Sequence, residues 1–423
     1  MRKRNLIFAA LTGICLCSGA QSTNEFVNGY YILCEGNYGT DPGLLNFYSS
    51  ASDRMIYDVY GSANNGLTLG MTGEFATLGD GRIVISSKQS TGDDSPRLVI
   101  ADSKTLEPVA TYPTLGAGGD GRSVAIDATT HRAYVGSTKG LSWYDTTDGS
   151  MLGSMDLSSE MKDMGDMVLS NNKLYIATSK NKLLVVNTVG QSPSLVGSVE
   201  IKGLASVFAM PSGQIYATVN TCTWGSPKAT DTEQFVPVSG LETSEPINLP
   251  LSGQNNWFTP APCQPVALAG ENAVIYSNAA LSNTICKYDF DTQTFTPDFI
   301  TFDNGQSIYA HPINVDPITG DIIVATFEGY SSTAYWLNTY DSTTGAEKKS
   351  VKWENEKYWF PCQIVIAERD SQTGIGTIGG KQVAKVQYYN LAGIESDSPH
   401  DGINIIKTTY TDGTTATAKC LKK

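Results

Sequence analysis

The chain has 423 residues, with 29 Lys and Arg against 42 Asp and Glu, for a formal charge of −13. That acidic balance excludes a binder of the nucleic-acid phosphate backbone. The 41 Gly, 18 Pro and 40% hydrophobic residues describe a turn-rich globule with ample core, and no apolar run after residue 17 nears the roughly 20 residues of a spanning helix.

Arg2, Lys3 and Arg4 precede an apolar run over 6–17, and Ser18, Gly19 and Ala20 supply small residues for cleavage. Residues 1–20 are therefore expected to be a signal peptide, with the mature chain starting at Gln21 and carrying a charge of about −16. A lipoprotein signal wants a small residue just before its Cys. Ile14 and Leu16 stand before Cys15 and Cys17, so a product without lipid is favoured over an anchored one.

From residue 27 a phrase repeats: an apolar strand, a tight turn, a second apolar strand, then a third strand ending in Asp or Asn and a hairpin. The clearest copies are 123–135 and 312–324. First strands are expected at 73–78, 123–127, 166–169, 205–209, 264–268, 312–315 and 363–367, with starts 39 to 59 residues apart. This spacing fits the four-stranded blades of a propeller. Third strands end at Asp102, Asp145, Asn187, Asp289 and Asp341, while the fifth copy is degraded in its outer part, with 234–238 as the best candidate. Helical patterning is nearly absent, and the one amphipathic candidate, 157–164, is too short to matter.

Residues 29–35 have the character of a second strand with no first before it, and 360–367 that of a first strand with no second after it. Joining them completes one blade from both ends of the chain and removes a free sheet edge. The expected fold is all-β: a seven-bladed β-propeller over 27–367 closed by its N- and C-terminal strands. A Gly-rich linker follows at 368–380, then a small C-terminal β-domain at 381–423.

Six Cys lie beyond the signal segment, at 34, 222, 263, 286, 362 and 420. Pairing Ile366 with Tyr30 sets Cys362 opposite Cys34, where either a disulfide staples the closure or two thiols pack as small apolar groups. The other four cannot be assigned partners.

Conventional catalytic signals are scarce. His131, His311 and His400 stand apart, no Cys or His spacing resembles a zinc site, and there is no Gly-x-Ser-x-Gly elbow. The Gly-rich stretch 116–121 has no helix after it and reads as a flexible entry into the third blade. No catalytic residue, metal or cofactor is assigned, and a non-enzymatic protein is expected.

Loops entering first strands and loops joining second to third strands share one end of the blades, and here they are long and aromatic. Turns at the other end, at 79–81, 171–172 and 211–213, are short. Rigid aromatic area beside polar side chains is the composition of ligand sites. The candidate ligand-binding residues are Tyr38, Trp224, Trp257, Phe258, His311, Tyr330 and Trp359. His311 precedes a first strand and is placed near the mouth of the central channel.

The opening 29–39, with Gly29, Tyr30, Tyr31, Cys34, Glu35 and Asn37, and the following 45–48 resemble the YncE-like and DUF5074 propellers secreted by gut Bacteroidetes. Members of that group include surface proteins that capture vitamin B12 and pass it to an outer-membrane transporter. The resemblance implies a ligand-capturing propeller, secreted or on the cell surface of a Gram-negative bacterium rather than periplasmic; it does not identify the ligand, for which a cobalamin-like corrinoid is the leading candidate. An interaction platform of a nutrient-uptake complex is the alternative, and a metal-assisted hydrolase or lyase using Glu35, Asp120 and Glu328 is a third reading. The tail resembles C-terminal sorting domains; a plain accessory β-domain is the alternative.

Overall fold

The computed structural model describes residues 26–422 except 93, 180, 223–227, 252–262, 278–280, 304, 331–332, 355–359, 370–382, 391–392, 397, 399, 401 and 411–414. The expected signal segment lies outside them.

Seven antiparallel sheets follow one another between Gly29 and Ile366, and the tail builds an eighth. First strands run at Met71–Gly79, Gly121–Asp127, Met164–Ser170, Leu204–Ala209, Val266–Ala267, Ile313–Val315 and Pro361–Ile366, one in each repeat. Pro361–Ile366 pairs antiparallel with Gly29–Cys34, with Tyr30 opposite Ile366, so one sheet draws strands from both ends of this region. The fifth sheet departs from the four-strand pattern, because its outer strand is broken into Glu242–Thr243 and Ile247–Asn248 along Glu233–Ser239. In the tail the order is Glu395–Ser396, Val383–Asn390, Gly402–Tyr410 and Thr415–Lys422.

The Asp that ends so many strands has a local reason to be there. Carboxylates of Asp102, Asp145, Asp289 and Asp341 accept from backbone amides two or three residues on, which closes the hairpin into the outer strand. Asp127 and Asp316 do the same between first and second strands. Such Asx turns satisfy amides that a tight turn would otherwise leave unpaired.

Buried apolar side chains fill the space between successive sheets. Tyr31, Phe47, Val99 and Tyr335 belong to one such core, and Leu268, Ile275, Ile313 and Val324 to another. Polar side chains tie neighbouring first strands together. Ser123 donates to the Gly165 carbonyl, Gln264 Nε2 to the Val207 carbonyl at 2.6 Å and Asn314 Nδ2 to the Ile364 carbonyl at 3.0 Å. The Ala76 amide donates to Gln363 Oε1 at 2.7 Å, which sets Pro361–Ile366 beside the first strand of the second sheet.

One expectation needs correction. A bulge between Leu33 and Cys34 sets Cys34 opposite Pro361 instead of Cys362, and both thiols are free and buried. Cys362 Sγ donates to the Leu33 carbonyl at 3.4 Å, while Cys34 Sγ accepts from Asn46 Nδ2 at 3.6 Å, so no disulfide staples this sheet. The stretch 157–164 turns without forming a helix; the chain's one short helix, among the described residues, is Val59–Ala63, with the Asp58 side chain accepting from the Gly61 amide.

The junction is held by polar contacts instead. Asp316, buried in the turn after Ile313–Val315, accepts from Tyr30 Oη at 3.0 Å and pairs with Arg369, just past the last strand. The Arg369 guanidinium lies 5.9 Å from the centre of the Tyr30 ring.

Candidate functional site

Antiparallel pairing places the start of each first strand beside the end of each second strand. This end, called the mouth here, gathers residues that sequence spacing alone leaves far apart. Five of the first strands carry a bulge at it. Glu74 is the extra residue between the pairs Gly73–Ser87 and Phe75–Ser86, and the third sheet slips across Arg122 and Ser123. The fourth slips across Gly165 and Asp166, the fifth at Ala205, and the strand Pro361–Ile366 at Cys362. A bulge takes a residue out of the ladder and re-aims its side chain, as happens beside many active sites. In three consecutive sheets that position is charged: Glu74, Arg122 and Asp166.

These charges sit in a network. Lys88, near the end of Arg82–Gln89, lies 2.9 Å from Glu74 and 3.3 Å from Glu35. Arg122 meets both oxygens of Asp163, at 2.9 and 3.1 Å, and Arg97 approaches Asp120 at 3.9 Å. Burial would discharge Lys88, but Glu74 and Glu35 outweigh it and hold the ammonium charged. One ammonium shared by two carboxylates leaves a surplus. Glu35 shows it, its carboxyl pushed up by burial against the pull of Lys88 and with the charge of Glu74 adding to the shift.

Aromatic groups meet this network directly. The Tyr309 hydroxyl bonds the Glu35 carboxylate, and its ring stacks on Phe360 with centroids 4.7 Å apart. Tyr330 stands edge-on to Phe360 at 5.4 Å and to Phe327 at 5.8 Å, with 49% of its surface exposed. Tyr38, 65% exposed, accepts from Gln89 Nε2 at 3.0 Å.

Three residues at the same end have left-handed backbone. Thr72, Ala310 and Phe360 have φ of 61°, 51° and 54°, and each lies at or just before a first strand. Left-handed backbone is costly for these residue types, above all for a β-branched Thr. The Thr72 hydroxyl is also buried without a hydrogen-bond partner.

Of the residues expected from sequence, Tyr330 and Tyr38 lie at the mouth, and His311 is buried beside Cys362, its amide donating to the Cys362 carbonyl at 3.3 Å. Burial lowers the His311 imidazole to about 4, so it is neutral at physiological pH. Trp224, Trp257, Phe258 and Trp359 lie outside the described residues. Sequence reasoning missed Glu74, Lys88, Arg122, Asp166 and Tyr309. The readable signal was a Gly followed by a charged residue at 73–74, 121–122 and 165–166, one dipeptide per repeat.

Glu35 and Asp120, assigned to the hydrolase reading, lie in the ion network; among the described residues no group of three His, Cys, Asp or Glu is placed to hold a metal ion. A separate open hollow of about 620 Å³ lies on the flank between the fourth and fifth sheets, lined by Glu200, Lys202, Thr221, Asp231 and Pro246. It lacks the buried charges and the aromatic cluster of the mouth. No described helix is long and apolar enough to cross a membrane.

A putative 6-phosphogluconolactonase from Bacteroides fragilis is similar in structure, with a TM-score of 0.54 and 10% identity over 80% of this chain and 97% of that one. A functionally unknown protein from Desulfotomaculum acetoxidans matches at 0.52 and 13%, over 81% and 100%, and a protein from Lactobacillus plantarum at 0.50 and 13%, over 79% and 98%. At these identities the likeness shows the fold alone. No curated protein matches the sequence. Successive four-stranded antiparallel sheets with linked first strands are the architecture of a β-propeller, and residues 28–367 match the domain of unknown function DUF5074: the chain belongs to the DUF5074 family.

Proposed function

We propose that the seven sheets are the blades of one closed ring and that its mouth captures a ligand without transforming it. The observation that carries this reading is the Tyr309–Glu35 contact, which joins an aromatic cluster with the half-exposed Tyr330 at its surface to a buried ion network at one end of the blades. Aromatic faces supply contact area at little loss of rotamer freedom, and convergent charges supply orientation. The carboxylates Glu35, Glu74 and Asp163 are engaged with Lys88 or Arg122, which leaves no legible acid, base and nucleophile set and supports capture over hydrolysis.

The resemblance of the opening strand to YncE-like capture proteins makes cobalamin the first ligand to test, with secretion to the cell surface and delivery to an outer-membrane transporter as the setting. Full-length protein mixed with cobalamin and passed through a desalting column should co-elute with red colour. Colourless protein at micromolar concentrations removes the corrinoid. Capture in general is tested by native mass spectrometry after incubation in spent growth medium; protein that retains nothing removes the reading.

The interaction-platform reading is favoured by a different observation, the exposed apolar side chains Val189, Leu195, Val196 and Leu241 on the fourth and fifth sheets. A Val196→Lys variant that still co-purifies with every outer-membrane partner of the wild type would remove that surface from consideration.

A further inference from the structure

Of the three charged side chains at bulged positions, two are neutralised by their neighbours: Glu74 by Lys88 and Arg122 by Asp163. Asp166 is not. It is 2% exposed, and both hydrogen bonds it accepts, from Ser206 Oγ at 2.6 Å and the Cys263 amide at 3.1 Å, fall on Oδ2. Among the described residues no Lys, Arg or His pairs with it. The titratable or polar groups that face it are Ser206 of the fifth sheet, Cys263 at the entry to the sixth and Glu74 of the second, whose negative charge adds to the penalty. Burial is the largest cause of a carboxyl held up at about 6.

A carboxylate so placed is either protonated or compensated by a positive group from outside. An acceptor for Ser206 and Cys263 alone could be Asn, with no charge to desolvate. The mouth as a whole also favours cations, since Glu35, Glu74, Asp120, Asp163 and Asp166 outnumber Lys88, Arg97 and Arg122. An anionic ligand would have to displace the carboxylates already seated on those bases. Aromatic faces next to carboxylates suit a cation further.

We propose that Asp166 anchors a protonated amine of the captured ligand. This assignment rests on the capture reading and narrows it to amine-bearing ligands, a class that leaves out cobalamin, whose side chains are amides.

The test is calorimetric titration of full-length protein with 2-phenylethylamine, ethanolamine and spermidine, and with 2-phenylethanol as a neutral control. Wild type is compared with Asp166→Asn, which keeps an oxygen for Ser206 and Cys263 and is checked for folding by its thermal melt. At least one amine should bind at pH 7.5, about tenfold more weakly at pH 5, where a carboxyl titrating near 6 is about nine-tenths protonated. The same amine should bind at least about tenfold more weakly to folded Asp166→Asn, and the alcohol should not bind. Asp148→Asn, an exposed acid elsewhere, controls for attraction to the acidic surface and should leave affinity unchanged. Equal affinity in Asp166→Asn, or no binding by any of the three amines, overturns the amine assignment. The capture reading falls separately, only when wild type also retains no ligand from spent medium.

Discussion

Replacing Lys88 with Met keeps most of the side-chain stem and removes the one charge that Glu35 and Glu74 share. Those carboxylates are 12% and 8% exposed, and the Lys88 side chain 18%, so little solvent screens the triad. Removing one partner of a buried pair costs about 3–5 kcal/mol, because the remaining charge stays buried without compensation. Taking about 3 kcal/mol, and an unfolding entropy of roughly 2.1 cal/mol/K per residue over about 340 residues, the melting temperature should fall by about 4 °C at pH 7.5. The variant's carboxyls must titrate higher when folded than when unfolded. Their penalty is full above the raised folded value and fades as pH falls towards the ordinary carboxyl range. The gap to wild type, followed by circular dichroism melts, should therefore narrow at pH 5, and adding Glu35→Gln and Glu74→Gln should recover most of it. A Lys88→Met protein melting within 1 °C of wild type at pH 7.5, or a gap of constant size with pH, would refute the argument that a shared ammonium neutralises the mouth.

At the junction of first and last strands, burial would lift the Asp316 carboxyl, but the Ile318 and Thr319 amides, Arg369 and the Tyr30 hydroxyl outweigh it and hold it below its ordinary value. Its stability contribution is present above the unfolded carboxyl value near 4 and disappears as pH falls through the lower folded value. Asp316→Asn should thus lose about 2 kcal/mol in urea unfolding at pH 7 and less at pH 3; an equal loss at both would argue against the ion pair. Alkylation of the unfolded, unreduced chain should label both Cys34 and Cys362, and a peptide linking them in mass spectra would show the free-thiol geometry to be wrong. Gly29→Ala should destabilise strongly, by about 2 kcal/mol or more, since a Cβ there would lie 2.1 Å from the Tyr48 carbonyl oxygen; a melt unchanged from wild type would mean that the two strands separate without penalty. Tyr330→Ala, at a half-exposed ring, should weaken ligand retention at least tenfold with a melt within about 1 °C of wild type.

The periodic parts of the molecule were legible because they obey local rules. Alternating apolar runs, Gly turns and the terminal Asp of each hairpin announce first strands such as Gly121–Asp127 within two residues, and the pairing of Tyr30 with Ile366 follows from complementary missing strands. What escaped depended on one-residue shifts. The bulge between Leu33 and Cys34 moved Cys362 out of register with Cys34, and counting that assumes an unbroken ladder cannot anticipate it. The same kind of shift hid the site. Glu74, Arg122 and Asp166 read as ordinary charged residues at strand starts until the extra residue at each bulge takes them out of the ladder. Loop position alone also does not tell which rings meet, and Tyr309, which joins the aromatic cluster to the ion network, carried no signal of its own.

The bulges also explain how a repeating scaffold acquires one functional end. At the opposite end, left-handed backbone falls mostly on Asp80, His131, Asn171 and Asn172, residue types that tolerate it in tight turns, and also on Leu106 and Gln293 in the turns into outer strands. At the mouth it falls on Thr72, Ala310 and Phe360, which do not tolerate it cheaply. Strain of that kind persists only where surrounding contacts over-determine it. Phe360 shows what is gained, because its backbone brings the ring against Tyr309 and Tyr330 while its carbonyl accepts from the Glu35 amide at 2.9 Å. A Gly at 360 would relax the backbone yet delete the ring that links aromatic cluster to ion network. Phe360→Gly should therefore lose ligand retention by more than its change in stability explains, whereas a purely structural Phe360 would lose both in proportion.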